Sequence, residues 1–244
     1  MIDLLRDIAD FILPRFCVIC GERLTAQERC LCVNCLRQLP YTYAHMHKEN
    51  EIERLFWYHI PIERAASYCF YEGEGLRNAI HHFKYHSRPD IGLFLSEAMA
   101  REYAEHGFFE GVDVIVPVPL HWKKRVQRGY NQCDYIAKGI GRITHIPVEV
   151  HALRRTVNNK SQASLHHSER KENAESIFQV VRPERLQGKH VLLVDDVITT
   201  GSTILSCARE VAKVPDTRLS VLSLAYAGMK FMLSVSPQGG KALW

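Results

Sequence analysis

No apolar run in this 244-residue chain approaches the roughly 20 residues that a membrane-spanning helix needs. The opening stretch, MIDLLRDIADFILPRF, is apolar but carries Asp3, Arg6, Asp7 and Asp10, whereas a secretory signal requires a charge-free centre. A cytoplasmic protein is the expectation. Internal repeats and low-complexity tracts are missing, so solenoids and linker-like chains are excluded. A GxxxxGK[ST] loop is missing too, and with it the nucleoside-triphosphatase phosphate site. Excess charge is scarce: the net value is +4, too small by itself to argue for nucleic acid.

What is present is ordinary in bulk and uneven in placement. The chain is 46% hydrophobic and 24% charged, and long enough to bury a core without staples. The positive excess is concentrated in residues 121–160, where nine Lys and Arg face only Asp134 and Glu149, as an anion-binding site would require. Three parts are expected: residues 1–45, with five of the eight cysteines; a mixed connector, 46–60; and an α/β part, 61–244. Ile2, Leu5, Ile8, Phe11 and Ile12 have helical spacing, which predicts a short amphipathic helix ending near Pro14. In the α/β part, strands are predicted at 65–71, 112–119, 175–181, 189–196 and 218–227. Helices are predicted at 75–85, 91–107, 131–143 and 206–214. Their alternation implies a parallel or mixed sheet flanked by helices. The polar stretch 156–174 (TVNNKSQASLHHSERKENA) interrupts the pattern, and a stretch of that kind is either a functional lid or a disordered segment.

FCVIC and LCVNC place two CxxC pairs eleven residues apart. Each pair offers two thiolates from a tight turn, so Cys17, Cys20, Cys32 and Cys35 can complete the closed tetrahedral shell that structural zinc prefers. The same spacing admits four free thiols or an iron–sulfur cluster, and Cys30 lies close enough to act as a decoy. With every position filled by protein, such a metal folds a small segment and performs no chemistry. Residues 1–45 hold five Arg against five acidic residues, which disfavours a DNA-binding finger.

The stretch VLLVDDVITTGSTI (191–204) poses the functional question. A buried strand delivers Asp195 and Asp196 at its C-terminal edge, where ligands sit in open α/β sheets. Thr199, Thr200, Gly201, Ser202 and Thr203 then supply hydroxyls and backbone N–H groups at a helix start, which favours a phosphate. The pieces fit a ligand with one terminal phosphate and a nearby pair of hydroxyls. Simple helix capping explains one hydroxyl but not two adjacent carboxylates.

At these residues the sequence resembles the type I phosphoribosyltransferases, whose motif for phosphoribosyl pyrophosphate (PRPP) is an apolar run, two acids and a Thr/Gly-rich loop. The resemblance implies an α/β fold with a mostly parallel sheet. It assigns Asp195 and Asp196 to the ribose hydroxyls and residues 199–203 to the 5-phosphate. It also makes LHWKKRVQRGYNQ (120–132), after VPVP, a pyrophosphate loop with Lys123, Lys124, Arg125 and Arg128 suited to a diphosphate. A solvated helix face is the alternative for that basic cluster.

The combination of the four-cysteine knuckle, FKY (83–85), PVPL, RGYNQ (128–132) and VDDVITTGST resembles more narrowly the ComF-type competence family, including its relative associated with gluconate utilisation. Arg154, Gln162, Leu165, Arg170 and Asn173 match that family's R…QxxL…RxxN pattern, where the fold carries a mobile loop over the reaction. The resemblance implies structural zinc, magnesium bound with PRPP, and a link to DNA uptake, with competence proteins as partners.

Transfer would place the acceptor at the anomeric carbon and expel pyrophosphate through an oxocarbenium-like centre. Asp195 and Asp196 are the candidate catalytic groups. Asp196, by position, and His121 are candidate bases; the acceptor is not legible. Two other functions compete with the enzyme. One is a PRPP or phosphosugar sensor that signals through the knuckle. The other is a single-stranded-DNA factor, disfavoured because no basic stripe interleaved with aromatics is present.

Overall fold

Six consecutive buried residues, His190–Asp195, begin the central strand, and a strand buried on alternate side chains in both directions must be covered on both faces. In the computed structural model, which describes residues 14–156 and 177–228, that strand is β5 (His190–Ile198). It lies in a four-stranded sheet with β1 (Arg64–Phe70), β2 (Val114–Pro117) and β6 (Arg218–Tyr226), in the order β1-β6-β5-β2. All three pairings are parallel, with Asp195 opposite Ser223 and Val194 opposite Pro117. The short strands β3 (Leu153–Arg155) and β4 (Phe178–Val180) form a separate antiparallel ribbon. The strand expected at 175–181 is therefore shorter and lies outside the main sheet.

In the N-terminal part, helix α1 (Val33–Arg37) follows the second CxxC cysteine pair's first member, and α2 (Glu51–Arg54) is capped by Asn50, whose Oδ1 accepts from Ile52 and Glu53 N–H at 3.0 Å. Helix α3 (Glu74–Tyr85) buries Leu76, Ala79, Ile80 and Phe83, one face at helical spacing. Helix α4 (Pro89–Glu105) starts with Pro at its first position, where the missing N–H costs nothing. Helix α5 (Trp122–Arg128) occupies much of the stretch expected as a loop. WKKRVQR has good helix formers, His121 Nδ1 accepts the Lys123 N–H at 3.2 Å, and Gly129 ends the helix at φ +80°. Helix α6 (Gln132–Thr144) packs against α4 so closely that a Cβ at Gly139 would collide with Ser96 Oγ and lie 2.9 Å from the Leu93 carbonyl. Helix α7 (Ser202–Val211) follows β5 and packs on it and on β4.

One hydrophobic core runs through the molecule, from Leu24, Leu31 and Leu39 of the cysteine-rich part to Val191–Val194 and Val221–Leu222 of the sheet. No described helix is long and apolar enough to cross a membrane. The helix expected near residues 2–12 falls outside the described residues, as do Gln162, Leu165, Arg170 and Asn173.

Candidate functional site

Two turns build the cysteine cluster. The first is a tight hairpin in which Cys17 N–H donates to Glu22 O at 2.8 Å and Gly21 turns the chain at φ +74°. The second is the start of α1, where Cys32 is the N-cap and its Sγ accepts the Cys35 N–H at 3.4 Å. The four sulfurs of Cys17, Cys20, Cys32 and Cys35 all lie within 4.8 Å of one another. Cys20 and Cys32 Sγ are 3.7 Å apart, close to the edge of about 3.8 Å expected for a tetrahedron with metal–sulfur bonds of about 2.3 Å. Cys32 N–H also donates to Cys17 Sγ at 3.4 Å, the kind of contact that stabilises a thiolate. The donor set is compatible with structural zinc. Cys30 is not part of it: its buried thiol donates to Asp90 Oδ2 at 3.3 Å, and burial beside that carboxylate pushes it up to about 12.

The carboxylate pair sits at the end of β5, facing α6 on one side and the end of α3 on the other. Asp195 is buried; its Oδ1 accepts the Asp196 N–H at 2.8 Å and the Cys133 thiol at 3.4 Å. Burial, then the neighbouring Asp196 charge, pushes Asp195 up to about 7. Asp196 Oδ2 is 3.0 Å from Lys84 Nζ, both side chains mostly buried. Beyond Ile198 the chain turns through exposed Thr199 and Thr200 to Gly201, which caps α7 at φ +75° and has Leu55 within 3.4 Å of where a Cβ would stand. Thr200 Oγ1 accepts the Ser202 N–H at 3.4 Å and donates to Ser202 Oγ at 3.1 Å. The result is two carboxylates, a lysine and the N-terminus of a ten-residue helix at one edge of the sheet.

Of the basic cluster, Arg128 is the member that the structure ties to this edge. Its guanidinium donates to Gln132 Oε1 at 2.8 Å and to Tyr85 OH at 3.2 Å, and lies over the Tyr85 ring at 5.0 Å. Tyr130 OH donates to the Phe83 carbonyl, so RGYNQ and FKY are latched together. Lys123, Lys124 and Arg125 stand on exposed α5, with Lys123 over the Trp122 ring at 5.7 Å. Asn131 caps α6 and donates to Val118 O at 3.1 Å, which fixes the turn after β2. Arg154 lies on β3 and donates to Gln179 Oε1 at 3.0 Å. The ribbon holds both ends of residues 157–176: Thr156 N–H donates to Ile177 O at 2.9 Å.

Sequence reasoning overlooked Lys84 and Cys133 as neighbours of the carboxylates. The FKY and RGYNQ runs were visible, but their meeting at β5 depends on how α3 and α6 pack.

No protein-family model matches the chain. Among curated proteins, the DNA utilization protein YhgH of Escherichia coli is 31% identical over 196 residues, 79% of this chain and 82% of that one. Competence protein F of Haemophilus influenzae is 33% identical over 116 residues, 47% of this chain and 51% of its own. Among solved structures, the glutamine phosphoribosylpyrophosphate amidotransferase of Bacillus subtilis aligns with 59% of this chain and 30% of its own at 22% identity, with a TM-score of 0.42.

Proposed function

The chain belongs to the ComF-type competence family that includes YhgH, and from that premise we propose that it binds PRPP and transfers ribose 5-phosphate to an acceptor with release of pyrophosphate. The observation that carries this reading is the Asp195–Asp196 pair in the C-terminal part of β5, which residues 197–200 join to the Gly201 turn and the N-terminus of α7. Asp195 and Asp196 take the two ribose hydroxyls, and residues 199–203 take the 5-phosphate through hydroxyls and N–H groups. Arg128, with Lys123, Lys124 and Arg125, neutralises the diphosphate. Magnesium suits the oxygen-only donor set of ligand and carboxylates and would keep several of its waters. Arg154, on β3 just before the expected mobile loop, would face the ligand from that side; Gln162, Arg170 and Asn173 of the same family pattern lie outside the described residues.

In the transfer, the bond from the anomeric carbon to pyrophosphate breaks and its electrons leave with the diphosphate, while an acceptor lone pair forms the new bond. The protein contributes placement and charge neutralisation. The cysteine cluster, holding zinc, is structural. The relatives' names tie them to DNA utilization and competence, and we place this chain in the same setting.

Calorimetry with PRPP and magnesium tests the ligand assignment. The wild type should bind, and Asp195→Asn/Asp196→Asn should lose binding by at least tenfold; equal binding by both would sink the assignment. A second reading, a PRPP sensor without turnover, is favoured by the Lys84–Asp196 ion pair, because it gives the carboxylate an internal partner that a ligand must displace. Pyrophosphate release across a panel of amine and nucleobase acceptors separates the two readings.

A further inference from the structure

The ligand site makes no use of His45. This residue sits in the single turn Ala44–Met46, just before the expected connector, and its side chain is fully buried. Its ring stacks on Tyr103 at 3.8 Å and 27°. Neither ring nitrogen has a hydrogen-bond partner among the described residues. Buried polar atoms are nearly always satisfied, so an imidazole orphaned at both nitrogens marks a bound water or ion.

The surroundings favour the ion. Glu102 Oε1 lies 3.8 Å from His45 Nε2, too long for a hydrogen bond and near the separation of about 3.4 Å expected of two ligands on one tetrahedral ion. His106, four residues on and at the end of α4, sits edge-on to His45 with ring centroids 5.0 Å apart. Its Nδ1 donates to the Glu102 carbonyl at 2.8 Å, a bond that His106 exchanges for the ion when its ring turns toward His45. The three groups gather where α4 ends, and the carbonyl end of a helix attracts a cation. His45 and His106 line a cavity of about 860 Å³, together with His47 and Glu105, which provides an entry path.

We propose that His45, Glu102 and His106 form a second metal site, for one divalent first-row transition cation of the kind that imidazole suits, such as zinc, nickel or copper(II). Among the described residues only the four cysteines already hold all their ligand atoms within 4.8 Å, so His106, which is exposed, must turn its ring to complete the set. The ion would clip residues 44–46 to the end of α4 and so fasten the cysteine-rich part to the sheet's edge.

The test uses the full chain with its cysteine site first loaded with zinc, then titrated with nickel by calorimetry. One further ion per chain is expected in the wild type, with a rise in melting temperature. His106→Ala should weaken that binding at least tenfold and remove the thermal shift. His45→Phe, which keeps a ring against Tyr103, should do the same. Copper(II) paramagnetic resonance should show two nitrogen ligands in the wild type and one in His106→Ala. The competing cluster is His81, His82 and His86, with ring centroids of the last two 4.6 Å apart; His81→Ala/His86→Ala should retain the ion. No ion beyond zinc, or nickel binding unchanged in His106→Ala, would overturn the proposal, the first outcome leaving a buried water as the partner of His45.

Discussion

Asp195 is held against two penalties, loss of water and a second carboxylate next door, and both favour its protonated form. Its folded-state value of about 7 lies above the 3.8 of the free side chain. The folded protein therefore grips this proton more tightly than the unfolded chain. The stabilisation is complete below 3.8 and is lost as pH rises through about 7. Asp195→Asn should raise the melting temperature at pH 8 and leave it near wild type at pH 4, as read by differential scanning calorimetry. The same variant should lose PRPP binding, so the site is built at the expense of stability. Lys84 acts in the opposite sense: removing it strands Asp196 in a mostly buried place. Lys84→Met is expected to cost about 1–3 kcal/mol in urea unfolding, with less loss when combined with Asp196→Asn, the signature of a coupled pair. Cys30→Ser should leave zinc content, measured by mass spectrometry, unchanged, whereas Cys20→Ser should lower it, because only Cys20 belongs to the sulfur cluster.

Elements were legible in the sequence where periodicity was strong. Helices α3, α4, α6 and α7 and strands β1, β5 and β6 lie where apolar spacing put them, within a few residues at their ends. Strand β3 was not legible, because LRR has no alternating apolar face and owes its extended form to pairing with β4. Helix α5, with no buried residue, takes the form of the alternative reading of the basic cluster, a solvated helix face, rather than the loop expected after VPVP. The cysteine cluster and the carboxylate pair could be read because each is local: two CxxC turns, and adjacent residues at the end of one strand. Lys84, Cys133 and the Arg128–Tyr85 contact could not, since each joins elements distant in sequence and is fixed only by packing. Gly139 belongs to the same class, as its reason is the approach of α4. Gly139→Ala should cost about 1–3 kcal/mol in denaturant unfolding, since Ser96 and the Leu93 backbone cannot both give way.

At the scale of the whole molecule, the continuous core means that the cysteine-rich part does not stand apart from the sheet. Ile19 packs close enough to α3 that a Cβ on Gly75 would lie 2.6 Å from its methyl. Removing zinc loaded on the four cysteines with a chelator should therefore lower the melting temperature of the entire chain in one transition; a separate early transition confined to the N-terminal part would show the two to be uncoupled. The β3–β4 ribbon has a different consequence. Because Thr156 and Ile177 are joined by a backbone hydrogen bond, residues 157–176 leave and re-enter the scaffold at neighbouring points. Closing a longer insert there costs only about 0.6 kcal/mol for each doubling of its length. The ribbon thus works as a socket: a graft between those two residues is a local edit, and chemistry can be exchanged there without renegotiating the register of a single strand in the sheet.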